Sequence, residues 1–125
     1  MRYLCIYKPA KPEGAPPTQS EMAEMNKFVD QMKKEGVLLA TEGCQPSSQG
    51  ARIRLTDGKL TVKDGPFTEA KEVVGGFAIL NAKSKEEVLE LNKRFLKVAG
   101  DGECEIRLLY DAPDDVCAPS SPKGN

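Results

Sequence analysis

Two helix-start signals, each bracketed by β-type sequence, constrain this chain more than any other feature. Thr18-Gln19-Ser20-Glu21 is a capping box: the threonine hydroxyl takes one orphan amide of the first turn and the glutamate carboxylate reaches back to another. Ser84-Lys85-Glu86-Glu87 repeats the arrangement. Behind the first box Met22, Met25, Phe28, Val29 and Met32 recur at helical spacing and form one stripe, and Gly36 supplies a left-handed stop. Behind the second, Val88, Leu91, Phe95 and Val98 do the same, widened by Leu89 and Leu96 and ended by Gly100.

The remaining apolar segments alternate or run apolar as strands do: residues 2–8, 37–42, 73–81 and 104–110. Between the second and third of these, residues 51–56 and 59–63 flank Asp57-Gly58, a pair that tolerates positive φ at both positions and favours a two-residue type I′ turn. That turn sets Thr56 opposite Lys59, Leu55 opposite Leu60, Ile53 opposite Val62 and Arg52 opposite Lys63. Apolar side chains then meet on one face and basic ones on the other. The order is strand, helix, strand, hairpin, strand, helix, strand. It predicts an α+β, ferredoxin-like βαββαβ domain over residues 1–112 with an inserted β-hairpin. Residues 113–125, rich in Pro, Ser and Asp, are expected to be a disordered tail.

Two helices cover one face of such a sheet. Alternation along the first strand separates Leu4 and Ile6 from Tyr3, Cys5 and Tyr7. The latter three are expected on the uncovered face with Arg107 and Leu109 of the last strand. A second copy packed sheet on sheet would cover it, so a homodimer forming a dimeric α/β barrel with a shared cavity is expected. The hydrophobic share of 39% over 125 residues is modest for a domain standing alone and points the same way.

Composition narrows the chemistry. The chain has no histidine, which removes Ser-His, Cys-His and His-metal mechanisms. With 18 Lys+Arg against 19 Asp+Glu it lacks the basic excess of a nucleic-acid binder. Cys5, Cys44, Cys104 and Cys117 show no Cys-x-x-Cys spacing, so neither a metal nor a cofactor is expected. No apolar run approaches the roughly 18–20 residues of a membrane span, and residues 1–7 are too short an apolar stretch for a signal sequence. A cytoplasmic location with no membrane partner is expected.

One stretch concentrates charge. Asp64-Gly65-Pro66-Phe67-Thr68-Glu69-Ala70-Lys71-Glu72 places acids, a lysine and an aromatic around a Gly-Pro turn before Gly75-Gly76. Such a cluster can bind or turn over a small polar ligand; it can equally be a turn followed by a solvated surface.

The nonapeptide resembles the signature of the YCII-related family in its DGPF branch, whose members typically read Asp-Gly-Pro-Phe-Ala-Glu-Thr-Lys-Glu. The chain keeps Asp64, Gly65, Pro66, Phe67, Glu69, Lys71 and Glu72 and departs at Thr68 and Ala70. Arg2 to Tyr7, Gly36-Val37-Leu38-Leu39, Glu42-Gly43, Pro46, Gly75-Gly76-Phe77 and Glu105-Ile106-Arg107 extend the resemblance over residues 1–112. The resemblance implies a ferredoxin-like fold assembled as a dimeric barrel. It implies little about reaction: a histidine–aspartate pair is suspected in the YCII branch, and here only Asp64 could stand for its acidic half. Some relatives carry the domain fused to a sigma-factor region.

Three functions fit these residues. An enzyme would use Asp64 or Glu69 as base, with Arg54, Lys71 or Arg107 holding an anionic group and Tyr7, Phe67 and Glu72 lining the barrel cavity. A non-catalytic module linked to transcription regulation would sense a small ligand or dock a protein. An architectural role would have Phe67 plug the barrel and Lys71 pair with Glu69 or Glu72.

Overall fold

A computed structural model describes residues 1–11, 17–66 and 73–111. Its elements are β1 (Arg2–Pro9), α1 (Gln19–Lys34), β2 (Leu38–Gly43), a short 3-10 turn (Ser47–Gln49), β3 (Ala51–Thr56), β4 (Lys59–Asp64), β5 (Gly76–Asn81), α2 (Lys85–Ala99) and β6 (Gly102–Leu108). β2, β5, β1 and β6 lie side by side in that order in one antiparallel sheet, while β3 and β4 pair as a separate two-stranded sheet. Leaving β3 and β4 aside, the order is that of a mixed α+β, ferredoxin-like fold.

Both helices start where their caps place them. Thr18 accepts from the Glu21 amide at 3.1 Å and the Glu21 carboxylate accepts from the Thr18 amide at 2.8 Å, the full reciprocal box. At α2 half of that box forms. Ser84 accepts from the Glu87 amide at 3.1 Å, but the Glu87 carboxylate reaches one residue further back, to the Lys83 amide at 2.7 Å. The β3–β4 register matches the expected one at all four pairs named above. It is closed by Asp57 at φ 51° and Gly58 at φ 80°, the two left-handed positions a type I′ turn demands.

The core lies between the sheet and the helices: Tyr3, Cys5 and Leu80 from the sheet and Ala82 beyond it, Met32 from α1, and Val88 and Leu91 from α2. This corrects the expected orientation of β1. Tyr3 and Cys5 are 5% and 6% exposed beneath the helices, and it is Leu4 and Ile6 that face outward. Cross-strand register supplies the reason. Leu4 stands opposite Arg107, Ile6 opposite Glu105 and Lys8 opposite Glu103, so these six share one face. Four of them are charged, and packing them beneath the apolar helix stripes would carry a heavy desolvation cost, so the helices take the other face and Leu4 and Ile6 turn outward with the charges.

Candidate functional site

Among the described residues, the side chains that sequence reasoning singled out fall in three separate regions of the protomer. The first is the outer sheet face. Leu4 and Ile6 of β1 lie opposite Ile79 and Phe77 of β5, giving a half-buried apolar centre. Along one side runs an ion cluster. Lys8 Nζ donates to Glu105 Oε1 at 2.8 Å, and Arg107 Nε donates to Glu105 Oε2 at 2.7 Å. These hydrogen bonds hold the Glu105 carboxyl below its ordinary range and raise the Lys8 ammonium above its own. Glu105 therefore spends both oxygens as a fixed counter-ion. Among the described residues Arg107 is engaged through its Nε alone, and its side chain is 70% exposed.

The second region is the β3–β4 hairpin, which carries Arg54 and Asp64, both exposed. Arg54 lies opposite Thr61 and Asp64 opposite Ala51, at the open end of the ladder. By alternation Asp64 and Ala51 lie on the face opposite Arg54, the face that also holds Ile53, Leu55, Leu60 and Val62, which are 72%, 66%, 71% and 65% exposed. A two-stranded hairpin is marginal by itself in water, and these four aliphatic side chains lie open on one of its faces.

At the end of β4 the backbone around Gly65 is tightly fitted. The Gly65 amide donates to the Gly50 carbonyl at 3.1 Å. A Cβ added to Gly65 would overlap the Ser47 carbonyl, so only glycine fits. The Gly65–Pro66 peptide is cis. Phe67, Glu69, Lys71 and Glu72 lie outside the described residues, as does Cys117.

The third region is a cleft of about 830 Å³ between the helices and the inner sheet face. Tyr7 belongs here rather than with Arg107. Its ring meets Phe95 edge-on at 5.1 Å, and its hydroxyl donates to the Gly100 and Asp101 carbonyls at 3.4 and 3.3 Å. Burial, reinforced by the Cys104 thiolate where that forms at alkaline pH and by Asp101, keeps that phenol protonated beyond its usual range. Cys5 and Cys104 also line the cleft. Burial pushes the Cys104 thiol up to about 11 and raises Cys5 as well, so both are un-ionised and poor nucleophiles at neutral pH. Cys44, at the rim, is exposed.

Asn92 is the residue that sequence reasoning missed. It is 6% exposed and lines the cleft between Leu91 and Phe95. Its signal was legible: Asn92 falls on the apolar stripe, one turn after Val88, where an aliphatic residue would ordinarily pack. Among the described residues, no three Cys, Asp or Glu side chains gather as a metal site, and no helix is long and apolar enough to cross a membrane.

Comparison with known proteins gives a family and a similar solved structure. The model of the YCII-related domain matches residues 1–111. The structure of 5-chloro-2-hydroxyhydroquinone dehydrochlorinase from Burkholderia phenoliruptrix AC1100 is similar at 16% identity, over 90% of this chain and 96% of that one, with a TM-score of 0.46. No curated protein matches the sequence.

Proposed function

The chain belongs to the YCII-related domain family, and on that premise we propose that it acts as a homodimer binding a small anionic molecule between two sheets. The single observation that carries this reading is the outer sheet face, apolar at its centre and charged along one side. Packed face to face, two copies would bury Leu4, Ile6, Phe77 and Ile79 and close a dimeric α/β barrel around the remaining space. The β3–β4 hairpin, an insertion in the βαββαβ order, would lay its bare aliphatic face on the partner. The unused guanidinium nitrogens of Arg107 suit a carboxylate or phosphate, which they can meet in a planar fork.

On the outer face Glu105 suits a structural counter-ion rather than a general base. A general base gains from a carboxyl raised towards neutrality, whereas Glu105 is moved down and saturated by two cations. Asp64 and Glu69 as base, and Arg54, Phe67, Lys71 and Glu72 as further contacts, would have to reach the cavity from the hairpin and the segment after it. Asp64-Gly65-Pro66-Phe67 supports membership of the DGPF branch. The family match over residues 1–111 supports a domain over 1–112, while the expected tail, residues 113–125, lies outside the described residues. Free Cys5, Cys44 and Cys104 suit a reducing cytoplasmic compartment.

The test is calorimetric titration of the full chain with a panel of small mono- and dicarboxylates and their phosphate counterparts. At least one anion should bind, and Arg107→Gln should weaken it about tenfold or more while the dimer persists. Undiminished binding by Arg107→Gln, or none with any anion, would remove the outer face as the site.

A further inference from the structure

We propose that the cleft between the helices and the inner sheet face is a second site, for a neutral, largely apolar molecule carrying one N–H or O–H donor, and that Asn92 Oδ1 receives that donor. The site is independent of the outer face and of dimer formation, since it lies on the opposite side of the sheet within one protomer.

The amide's orientation is fixed by chemistry. Asn92 Nδ2 lies 2.8 Å from the Val88 carbonyl, a group that can only accept, so the nitrogen belongs there. The second N–H is directed at Cys5 Sγ, 3.4 Å away. Both donors are thereby spent. The carbonyl oxygen Oδ1, on a residue only 6% exposed, receives no hydrogen bond from any described residue. A buried acceptor without a partner is costly, and native structures complete such groups with water or ligand. Leucine at this position would continue the apolar stripe without that cost. Asparagine is the choice that leaves an acceptor on the cleft wall.

The rest of the cleft sets the class of molecule. Met22, Met25 and Val29 of α1 face Phe95 of α2 and Tyr7 of β1 across it. An ionised group among these side chains would be stranded away from water, whereas an aromatic ring gains from the thioethers and from the Phe95 and Tyr7 rings. Charged residues enter the lining only as Lys11, Glu21 and Glu42, and Lys11 and Glu21 already face each other at 4.0 Å. The volume of about 830 Å³ suits a molecule of drug-like size.

Two probes of nearly equal shape separate the donor from the apolar fit: 1-naphthol and 1-methoxynaphthalene, titrated into the isotope-labelled full chain and followed by amide chemical shifts. Both should move the amides of Val88, Asn92 and Phe95, and 1-naphthol should bind about three- to tenfold tighter, the range expected of one net hydrogen bond. In Asn92→Leu the two affinities should converge while the methoxy probe binds undiminished. Should that variant not fold, the wild-type pair decides alone. Equal affinities in the wild type, no shift at those amides with either probe, or shifts confined to residues outside the cleft would each overturn the proposal.

Discussion

Leu60→Ser separates a hairpin that serves a partner from one that serves its own protomer. Leu60 is 71% exposed and stands opposite Leu55, itself 66% exposed, so within one protomer the substitution removes almost no buried surface. Its cost to the folded monomer should be within about 0.5 kcal/mol. On a partner the accounting differs. Full burial of a leucine is worth about 1.5–3 kcal/mol, and the part of Leu60 still open to water would recover about 1–2 kcal/mol of that. A two-fold dimer contains the contact twice, so the substitution should remove about 2–4 kcal/mol of association free energy. The dimer dissociation constant should rise about 30- to 700-fold. Sedimentation equilibrium across a dilution series reads this directly. Thr61→Ser, on the opposite hairpin face, controls for the lower strand preference of serine and should leave association unchanged. An unaltered dimer constant would refute the reasoning. So would a clear fall in the melting temperature of the monomer, which would mean the hairpin packs on its own chain.

Gly65→Ala should be severe, because its Cβ meets the Ser47 backbone rather than a movable side chain. About 1–3 kcal/mol and a melting temperature lower by roughly 5–15 °C are expected, while the exposed Asp64→Ala should melt near the wild type; equal melting of all three would contradict the tight fit at Gly65. Glu105 ionises more readily in the folded chain than in the unfolded one, so its stabilisation is present above the unfolded carboxyl range and lost as pH falls through the folded value. Glu105→Gln should therefore flatten the acid limb of the stability curve below about pH 5, and a wild-type advantage that stays constant from neutral to acid pH would contradict this.

Local signals carried the fold a long way. The first capping box, the Asp57-Gly58 turn and the hairpin register are all short-range, and each forms as its residues dictate. What the sequence could not supply was register between strands far apart in the chain. β1 alternates cleanly, but which of its faces turns inward depends on Glu105 and Arg107 standing opposite Ile6 and Leu4, about a hundred residues away. Tyr7 was consequently grouped with Arg107, and the sheet separates them. Asn92 was passed over because a helical stripe is read by its apolar members, and one polar residue on it looks like noise until its burial is known. Within the charged nonapeptide, glycine at position 65 is explained by its fit against Ser47, and residues 67–72 fall outside the described residues.

In the proposed dimer the outer sheet face of one copy is covered by another. Light scattering of the wild-type chain at micromolar concentration, alongside Ile6→Asp, tests it most directly. The account predicts twice the 13.6 kDa chain mass for the wild type and a folded species of single mass for Ile6→Asp. A wild-type chain that stays at 13.6 kDa, or an Ile6→Asp variant that dimerises as well as the wild type, would contradict it.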